Sequence, residues 1–265
     1  MVRSDDRRAL LERDLPGAAR RGEIIALFQP QFSLETGEVV GAEALSRWIH
    51  PRFGLIAPGE FIPMAERLGL VGEIGDVMLR LGAHAARDWQ DQGRPIEVAV
   101  NVSILQLRTA AIVDTIAGLL DEFSLAPRLL TLEVTETTPV TQVPEAIGVV
   151  HRLSGLGVNI SVDDFGAAYA SREQVIALQA IELKVDQSLV QETQGARGED
   201  LARAVEFGKA QGMRLVAEGI ETEAQLARVR ALHCDRGQGY LLSRPTTKAD
   251  VDSLLVSAGG FRAEE

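Results

Sequence analysis

Residues 96–136, IEVAVNVSILQLRTAAIVDTIAGLLDEFSLAPRLLTLEVTE, hold the pattern that decides the fold. The apolar run IEVAVNVS (96–103) is followed by TAAIVDTIAGLLDEFSL (109–125), whose apolar residues recur at helical spacing until Pro127. A second apolar run, LLTLEVTE (129–136), comes next. Two short β-type runs joined by a helix-length crossover form the repeating unit of a parallel sheet. The unit recurs downstream, where VNISVDDFG (158–166), AIELKVD (180–186), MRLVAEGI (213–220) and DRGQGYLLS (235–243) read as strands. Helical patterns at 143–157, 171–179, 199–212 and 221–234 separate them, and a last one follows at 247–260.

Upstream the rhythm differs. IIALFQPQFSL (24–34) and VVGAEALSRW (39–48) flank the turn ETGE, which contains Gly37, and this hairpin pattern makes the first two strands antiparallel neighbours. Helical segments at 59–69 and 71–93 then lead into the first βα unit, and residues 3–22 read as an amphipathic helix of mixed charge. The expected organisation is an N-terminal connector helix over 1–22 and one barrel domain over 23–265. Eight strands alternating with helices predict an α/β protein whose parallel sheet closes into a barrel. An open doubly wound sheet is the alternative, but GLGVNI (155–160) lacks the third glycine of its fingerprint and does not follow a strand.

Composition narrows the chemistry. The 265 residues carry 27 Lys and Arg against 38 Asp and Glu, a net charge of −11 that argues against broad binding to duplex nucleic acid. Cys234 is the sole cysteine, so an internal disulfide and multi-cysteine metal sites are excluded. His50, His84, His151 and His233 lack ligand spacing, leaving oxygen ligands for any metal. No apolar run is long enough to span a membrane, and MVRSDDRRALLERDL has no apolar signal core, so a cytoplasmic protein is expected.

The polar residues fall at the C-terminal ends of the strands: Glu43, Asn101, Glu133, Asp163, Asp164, Lys184, Glu218 and Gln238. In a barrel these ends converge on the mouth where active sites form. Taken singly, each acid reads as a helix cap or a surface ion pair. Five carboxylates together on otherwise apolar barrel walls, with one lysine to balance them, call instead for divalent cations. Oxygen ligands favour Mg²⁺ or Mn²⁺, and two ions sharing an aspartate suit phosphodiester hydrolysis. No nucleophile elbow, phosphate loop or zinc-protease helix is present. A two-carboxylate glycosidase is conceivable on the same barrel, but 5% aromatic content offers few platforms for sugar rings.

Nine ordered segments carry a resemblance: FQP (28–30), GAEALSRW (41–48), PGEFIPMAE (58–66), NVS (101–103), LEVTE (132–136), DDFG (163–166), LKVD (183–186), AEGIE (217–221) and QGYLLSRP (238–245). In order, they resemble the motifs of the EAL-domain phosphodiesterases over residues 23–255. The resemblance implies a modified (β/α)8 TIM-like barrel with an antiparallel first strand, and hydrolysis of cyclic di-GMP to linear pGpG with Mg²⁺ or Mn²⁺. It implies Glu43, Asn101, Glu133 and Asp163 as ligands of one ion, and Asp163, Asp164 and Glu218 as ligands of a second. Lys184 would orient the attacking water, with Gln238 beside it and Glu221 supporting the lysine end. Gln29 and Arg47 would contact the dinucleotide, Arg47 through charge-assisted hydrogen bonds to phosphate, and Pro245 would line a guanine pocket. Also implied are a homodimer and an upstream GGDEF or sensory domain in a longer parent protein.

The resemblance weakens at one loop. The family reads close to D-D-F-G-T-G-Y-S-S where this chain has Ala167, Ala168 and Ala170, then Arg172 and Glu173 in place of apolar residues. Ala168 for glycine costs ~1 kcal/mol wherever a positive φ is needed. Glu136 resembles the glutamate that braces this loop. The expectation is an active phosphodiesterase, and the alternative is a receptor that holds cyclic di-GMP without turnover.

Overall fold

The apolar runs pair into one sheet whose ends meet. The computed structural model describes residues 4–135, 143–167, 172–192 and 196–257. Its strands are β1 (Ile24–Ser33), β2 (Val39–His50), β3 (Gly54–Ile56), β4 (Glu97–Ser103), β5 (Leu130–Thr135), β6 (Asn159–Phe165), β7 (Glu182–Val185), β8 (Arg214–Ala217) and β9 (Arg236–Gly237). The sheet runs β1-β9-β8-β7-β6-β5-β4-β2-β3, and β1 also pairs with β2, so eight strands close a barrel. β1 is antiparallel to both neighbours, and the other barrel pairings are parallel. The hairpin read at ETGE is the cause of this reversal. Gly37 adopts φ 76 there, and Ser33 donates its N–H to the Glu38 carbonyl at 2.8 Å.

The helices are α1 (Ser4–Asp14), α2 (Pro58–Arg67), α3 (Val71–Asp91), α4 (Ala111–Glu122), α5 (Glu145–Gly155), α6 (Arg172–Ala177), α7 (Gln187–Gln191), α8 (Ala196–Ala210), α9 (Glu223–Ala231) and α10 (Lys248–Val256). Helix α3 shows how they seat on the barrel. Ile74, Met78, Leu79, Ala86 and Trp89 form its buried stripe, each large apolar side chain worth roughly 1.5–3 kcal/mol of burial. Gly82 lets the helix approach β4, since a Cβ there would meet the Val100 side chain at 2.6 Å.

Three sequence expectations change. The N-terminal helix stops at Asp14 rather than near residue 22, because Pro16 disfavours helical geometry at Leu15 and Gly17 turns at φ 78. It packs on the barrel, with Leu11, Leu15 and Ala18 buried in the core. The last strand shrinks to Arg236–Gly237. The chain leaves the sheet where Gly239 crosses Ile220 so closely that a Cβ would lie 2.2 Å from its backbone. Strand β3 and helix α7 were not anticipated.

The barrel interior is also more polar than expected. Strand alternation points Glu97, Ala99 and Asn101 inward from β4, and likewise Glu182 with Lys184, and Arg236 with Gln238. Beneath the mouth, Arg214 donates to Glu97 at 2.9 and 2.6 Å and to Glu182 at 2.5 Å, while Arg236 donates to Glu97 at 2.8 and 3.3 Å. Two guanidinium groups thus neutralise two carboxylates on the barrel floor. Burial alone would raise the Glu97 carboxyl, but Arg236 and Arg214 outweigh it and hold it below the ordinary carboxylate value.

A folded-state value below the unfolded one gives stability that is present at neutral pH and disappears as pH falls through the folded value. Glu97→Gln should therefore cost roughly 3 kcal/mol at pH 7, the usual scale for breaking a buried pair. Denaturant titrations should show the gap to wild type closing as pH drops below the usual glutamate value of about 4.3. A gap that stays constant down to pH 3 would refute the assignment.

Candidate active site

Above that floor, Lys184 stands in the middle of the mouth and is 1% exposed. Its Nζ lies 2.8 Å from Glu218 Oε1, 2.9 Å from Asp163 Oδ1, 3.0 Å from Glu133 Oε1 and 3.3 Å from Glu43 Oε2. Amides complete the cluster. Asn101 Nδ2 donates to Glu43 Oε1 at 2.8 Å, and Gln238 Nε2 donates to Glu43 Oε2 at 2.7 Å and to Glu218 Oε1 at 3.0 Å. Strand register explains the convergence, since Gln29 sits opposite Glu43, Glu43 beside Ala99, and Asn101 beside Glu133.

The adjacent acids need a separate account, because neighbouring strand residues normally face opposite ways. Between β6 and β7 the register slips: Val162 pairs with Leu183 and Phe165 with Val185, so Asp163 and Asp164 together oppose Lys184. This is a β-bulge, and it re-aims side chains. Asp164 adopts φ 54, a left-handed conformation that aspartate tolerates better than most residues. Both carboxylates thereby serve one site.

Electrostatically, the acids outnumber the lysine. Burial pushes Glu133 well above the ordinary carboxylate range, and the Glu43 charge adds to the push. Burial likewise pushes up Glu218 and Asp163, with Lys184 opposing. Burial and the neighbouring Asp163 raise Asp164 to about 6. Glu43 goes the other way: burial opposes its charge, but Lys184 and the hydrogen bonds from Gln238 and Asn101 lower its value. Burial disfavours the Lys184 ammonium, yet the surrounding carboxylates hold its value well above the usual one.

These residues fit divalent cations. Glu43, Glu133 and Asp163 form one set whose ligand oxygens lie within 4.8 Å of one another, and Asp163, Asp164 and Glu218 form another, with Asp163 common to both. Glu133 Oε2 is buried without a hydrogen-bond partner, while Glu133 Oε1 and Asp163 Oδ1 share the one Lys184 ammonium with Glu43 and Glu218. A carboxylate oxygen left orphaned or under-neutralised in such a place is costly unless a cation takes it up. Asn101 stands beside the first set with its Nδ2 on Glu43 Oε1.

The site sits between two cavities. One, of about 410 Å³, runs from Glu43, Asn101, Asp163 and Asp164 to an apolar wall that includes Ile62, Ile74 and Met78. The other, of about 230 Å³, is bounded by Gln29, Asp164, Glu218, Glu221, Gln238 and Tyr240. Gln29 is buried and donates to the Ser243 carbonyl at 3.2 Å. Arg47 shares the Glu43 face of β2 and donates to the Ser46 carbonyl at 2.8 Å. Half-buried Pro245 precedes Thr246, which bridges to Phe28 next to Gln29. Glu221 is on the exposed rim, its N–H held by Gln225 at 2.7 Å, and it is not among the described carboxylates within ion-pair distance of Lys184. Glu136 and Ala168–Ser171 lie outside the described residues. Ala167 and Arg172 lie inside them, and the Arg172 guanidinium stacks over Phe207 at 5.2 Å.

Two contributors escaped the sequence reading. Gln31, 2% exposed, donates to Gln238 Oε1 at 3.1 Å; the period of two from Gln29 was the available signal. Asp186 lines the smaller cavity and caps α7 by accepting from Ser188 N–H at 2.9 Å. It looked like the plain end of LKVD.

Known proteins share this architecture. A family model described as the EAL domain matches residues 12–245. The bifunctional diguanylate cyclase/cyclic di-GMP phosphodiesterase MucR of Pseudomonas aeruginosa is 39% identical over 249 residues, covering 92% of this chain and 36% of MucR. The cyclic di-GMP phosphodiesterase RocR of the same organism is 34% identical over 226 residues, covering 84% of this chain and 58% of RocR. The chain spans roughly a third of the first three curated relatives. Among solved structures, the MucR phosphodiesterase in complex with c-di-GMP has a TM-score of 0.86 at 38% identity, covering 91% of this chain and 99% of that one.

A cation that binds only the folded chain stabilises it by mass action, by about 2.7 kcal/mol at a hundredfold excess over Kd, and so raises its melting temperature. Mg²⁺ or Mn²⁺ should therefore stabilise the wild type. Asp163→Asn, which touches both sets, should abolish the shift, and Asp164→Asn should reduce it. Affinity should weaken as pH falls through about 6, where Asp164 takes up a proton. An equal thermal shift in Asp163→Asn and wild type would contradict the ligand assignment.

Proposed function

The chain belongs to the EAL domain family, and from that premise we propose that it hydrolyses cyclic di-GMP to linear 5'-pGpG. The observation that carries this reading is the pair of carboxylate sets sharing Asp163 between two cavities. An elongated dinucleotide laid across both cavities brings a phosphodiester to the acids. The names of MucR and RocR support the substrate.

Glu43, Asn101, Glu133 and Asp163 would hold one divalent ion, and Asp163, Asp164 and Glu218 a second, each Mg²⁺ or Mn²⁺ by the hardness of the oxygen donors. Bound there, the ions would neutralise the phosphodiester and make water a competent nucleophile near neutral pH. Lys184 would orient the attacking water by donation. Gln238, tied to Glu43 and Glu218, would stand beside that water, and Glu221 would support the rim. Gln29 and Arg47 would fix the dinucleotide, Arg47 by paired donation to a phosphate oxygen, while Pro245 would pack against a guanine. Low water content at the buried lysine would strengthen each of these contacts.

The reading extends to the setting. No described helix is long and apolar enough to cross a membrane, which supports action in the cytoplasm. Ile176 on α6 and Ile181 before β7, 52% and 49% exposed, offer an apolar face for a homodimer. The greater length of the curated relatives supports an upstream GGDEF or sensory domain in the parent protein.

Purified protein with Mg²⁺ or Mn²⁺ should release pGpG from cyclic di-GMP, and EDTA should stop it. Glu43→Ala and Asp163→Ala should each lower kcat by roughly a thousandfold or more, the scale on which a group acting on the reacting centre is lost. Arg47→Ala should act mainly on KM. Tight cyclic di-GMP binding with no product over hours would overturn hydrolysis in favour of a receptor.

A further inference from the structure

Gln238 can serve the site only if its amide faces the right way, and nothing about a primary amide decides that by itself. Its Nε2 meets Glu43 Oε2 at 2.7 Å and Glu218 Oε1 at 3.0 Å, while its Oε1 accepts from Gln31 Nε2 at 3.1 Å. Gln31 Oε1 in turn faces Arg236 Nη1 at 3.5 Å, and Arg236 is bonded to Glu97 on the barrel floor. The chain has ends of opposite kind. A guanidinium can only donate, and Glu43, which also takes donors from Asn101 Nδ2 and Lys184 Nζ, accepts, so two amides between them have one consistent direction. Reversing either amide sets two donors or two acceptors face to face in a buried place.

We propose that Gln31 is a positioning residue, which transmits the donor character of Arg236 to Gln238 and keeps the Gln238 NH₂ aimed at Glu43 and Glu218. The upper end loses its hold when those carboxylates turn their oxygens to a cation, and the lower end does not. The close fit of Gln31 agrees with this role. Gln31 lies opposite Gly41 in the β1–β2 register, and a Cβ at Gly41 would lie 3.0 Å from Gln31 Oε1 and 3.3 Å from Arg236 Nη1. β2 leaves room at that point for the oxygen and the guanidinium together.

Two substitutions separate orientation from packing. Gln31→Glu is nearly isosteric but can only accept, so it draws the Gln238 NH₂ down and turns its oxygen towards Glu43 and Glu218. Gln31→Met leaves the Gln238 amide without a guide. Orientation therefore requires Gln31→Glu to be the worse of the two, lowering kcat by about tenfold or more with KM for cyclic di-GMP little changed, the scale of one misplaced hydrogen bond. A purely structural role predicts the reverse order, with losses that follow the melting temperature. In a Gln238→Met background, which has no amide to orient, neither change should lower kcat further. The kinetic arm rests on the phosphodiesterase reading. A second arm does not: the side-chain amide signals of Gln238 in a ¹H–¹⁵N spectrum of the Mg²⁺-saturated protein, identified by their loss in Gln238→Met, should move in Gln31→Glu. Unmoved signals, or full additivity in the double variants, would overturn the proposal even in a fully active enzyme. An inactive wild type with moved signals would overturn the phosphodiesterase reading and leave the relay standing.

Discussion

The ammonium of Lys184, buried among Glu43, Glu133, Asp163 and Glu218, is the constraint around which the molecule is arranged. One positive charge cannot neutralise so many acids at close range in a place with little water. The deficit has two remedies, protons on the carboxylates or cations between them. The raised values of Glu133, Asp163 and Glu218 express the first, and the orphaned Glu133 Oε2 beside an ammonium shared four ways invites the second. A cation competes with those protons directly, so the energy of cation binding is coupled to pH by the packing itself.

The barrel makes such a concentration of charge tolerable because its interior is stratified. Below the mouth, Glu97 and Glu182 are matched by Arg214 and Arg236, a closed account that needs nothing from outside. Above it the account is open. One strand can carry both layers, as β7 does with Glu182 and Lys184 two residues apart, so a shift of that strand by one residue would move a floor charge and a mouth charge out of the barrel together. Polar continuity through Gln31 and Gln238 links the layers, and the helices outside supply the apolar burial that holds the strands in register.

Much of this was legible in the sequence, for identifiable reasons. The βα repeat and the ETGE hairpin disclosed the closed barrel and its reversed first strand because periodicity and turn chemistry are local. The acids at the strand ends were visible because charge after an apolar run is conspicuous. The floor network was not, although Glu97 in IEVAV and Arg236 in DRGQG stand in plain view. A charge at the start of a strand looks like solvated flank until closure of the barrel brings four such positions face to face. The N-terminal helix was drawn too long because mixed-charge helical spacing continues past Pro16, while the geometry does not. Gln31 was overlooked because its role depends on what stands beyond Gln238.

The bulge at Asp163 and Asp164 changes what an acidic doublet signifies. Spelled out in a sequence, two neighbouring aspartates suggest a polar loop. Here they record a miscount between strands, one more residue on β6 than on β7, and the second aspartate is there partly because its backbone must turn left-handed. The doublet is therefore a statement about chain length as much as about charge. An insertion or deletion of one residue near it would leave the composition of the site untouched and still scatter its ligands to opposite faces of the sheet.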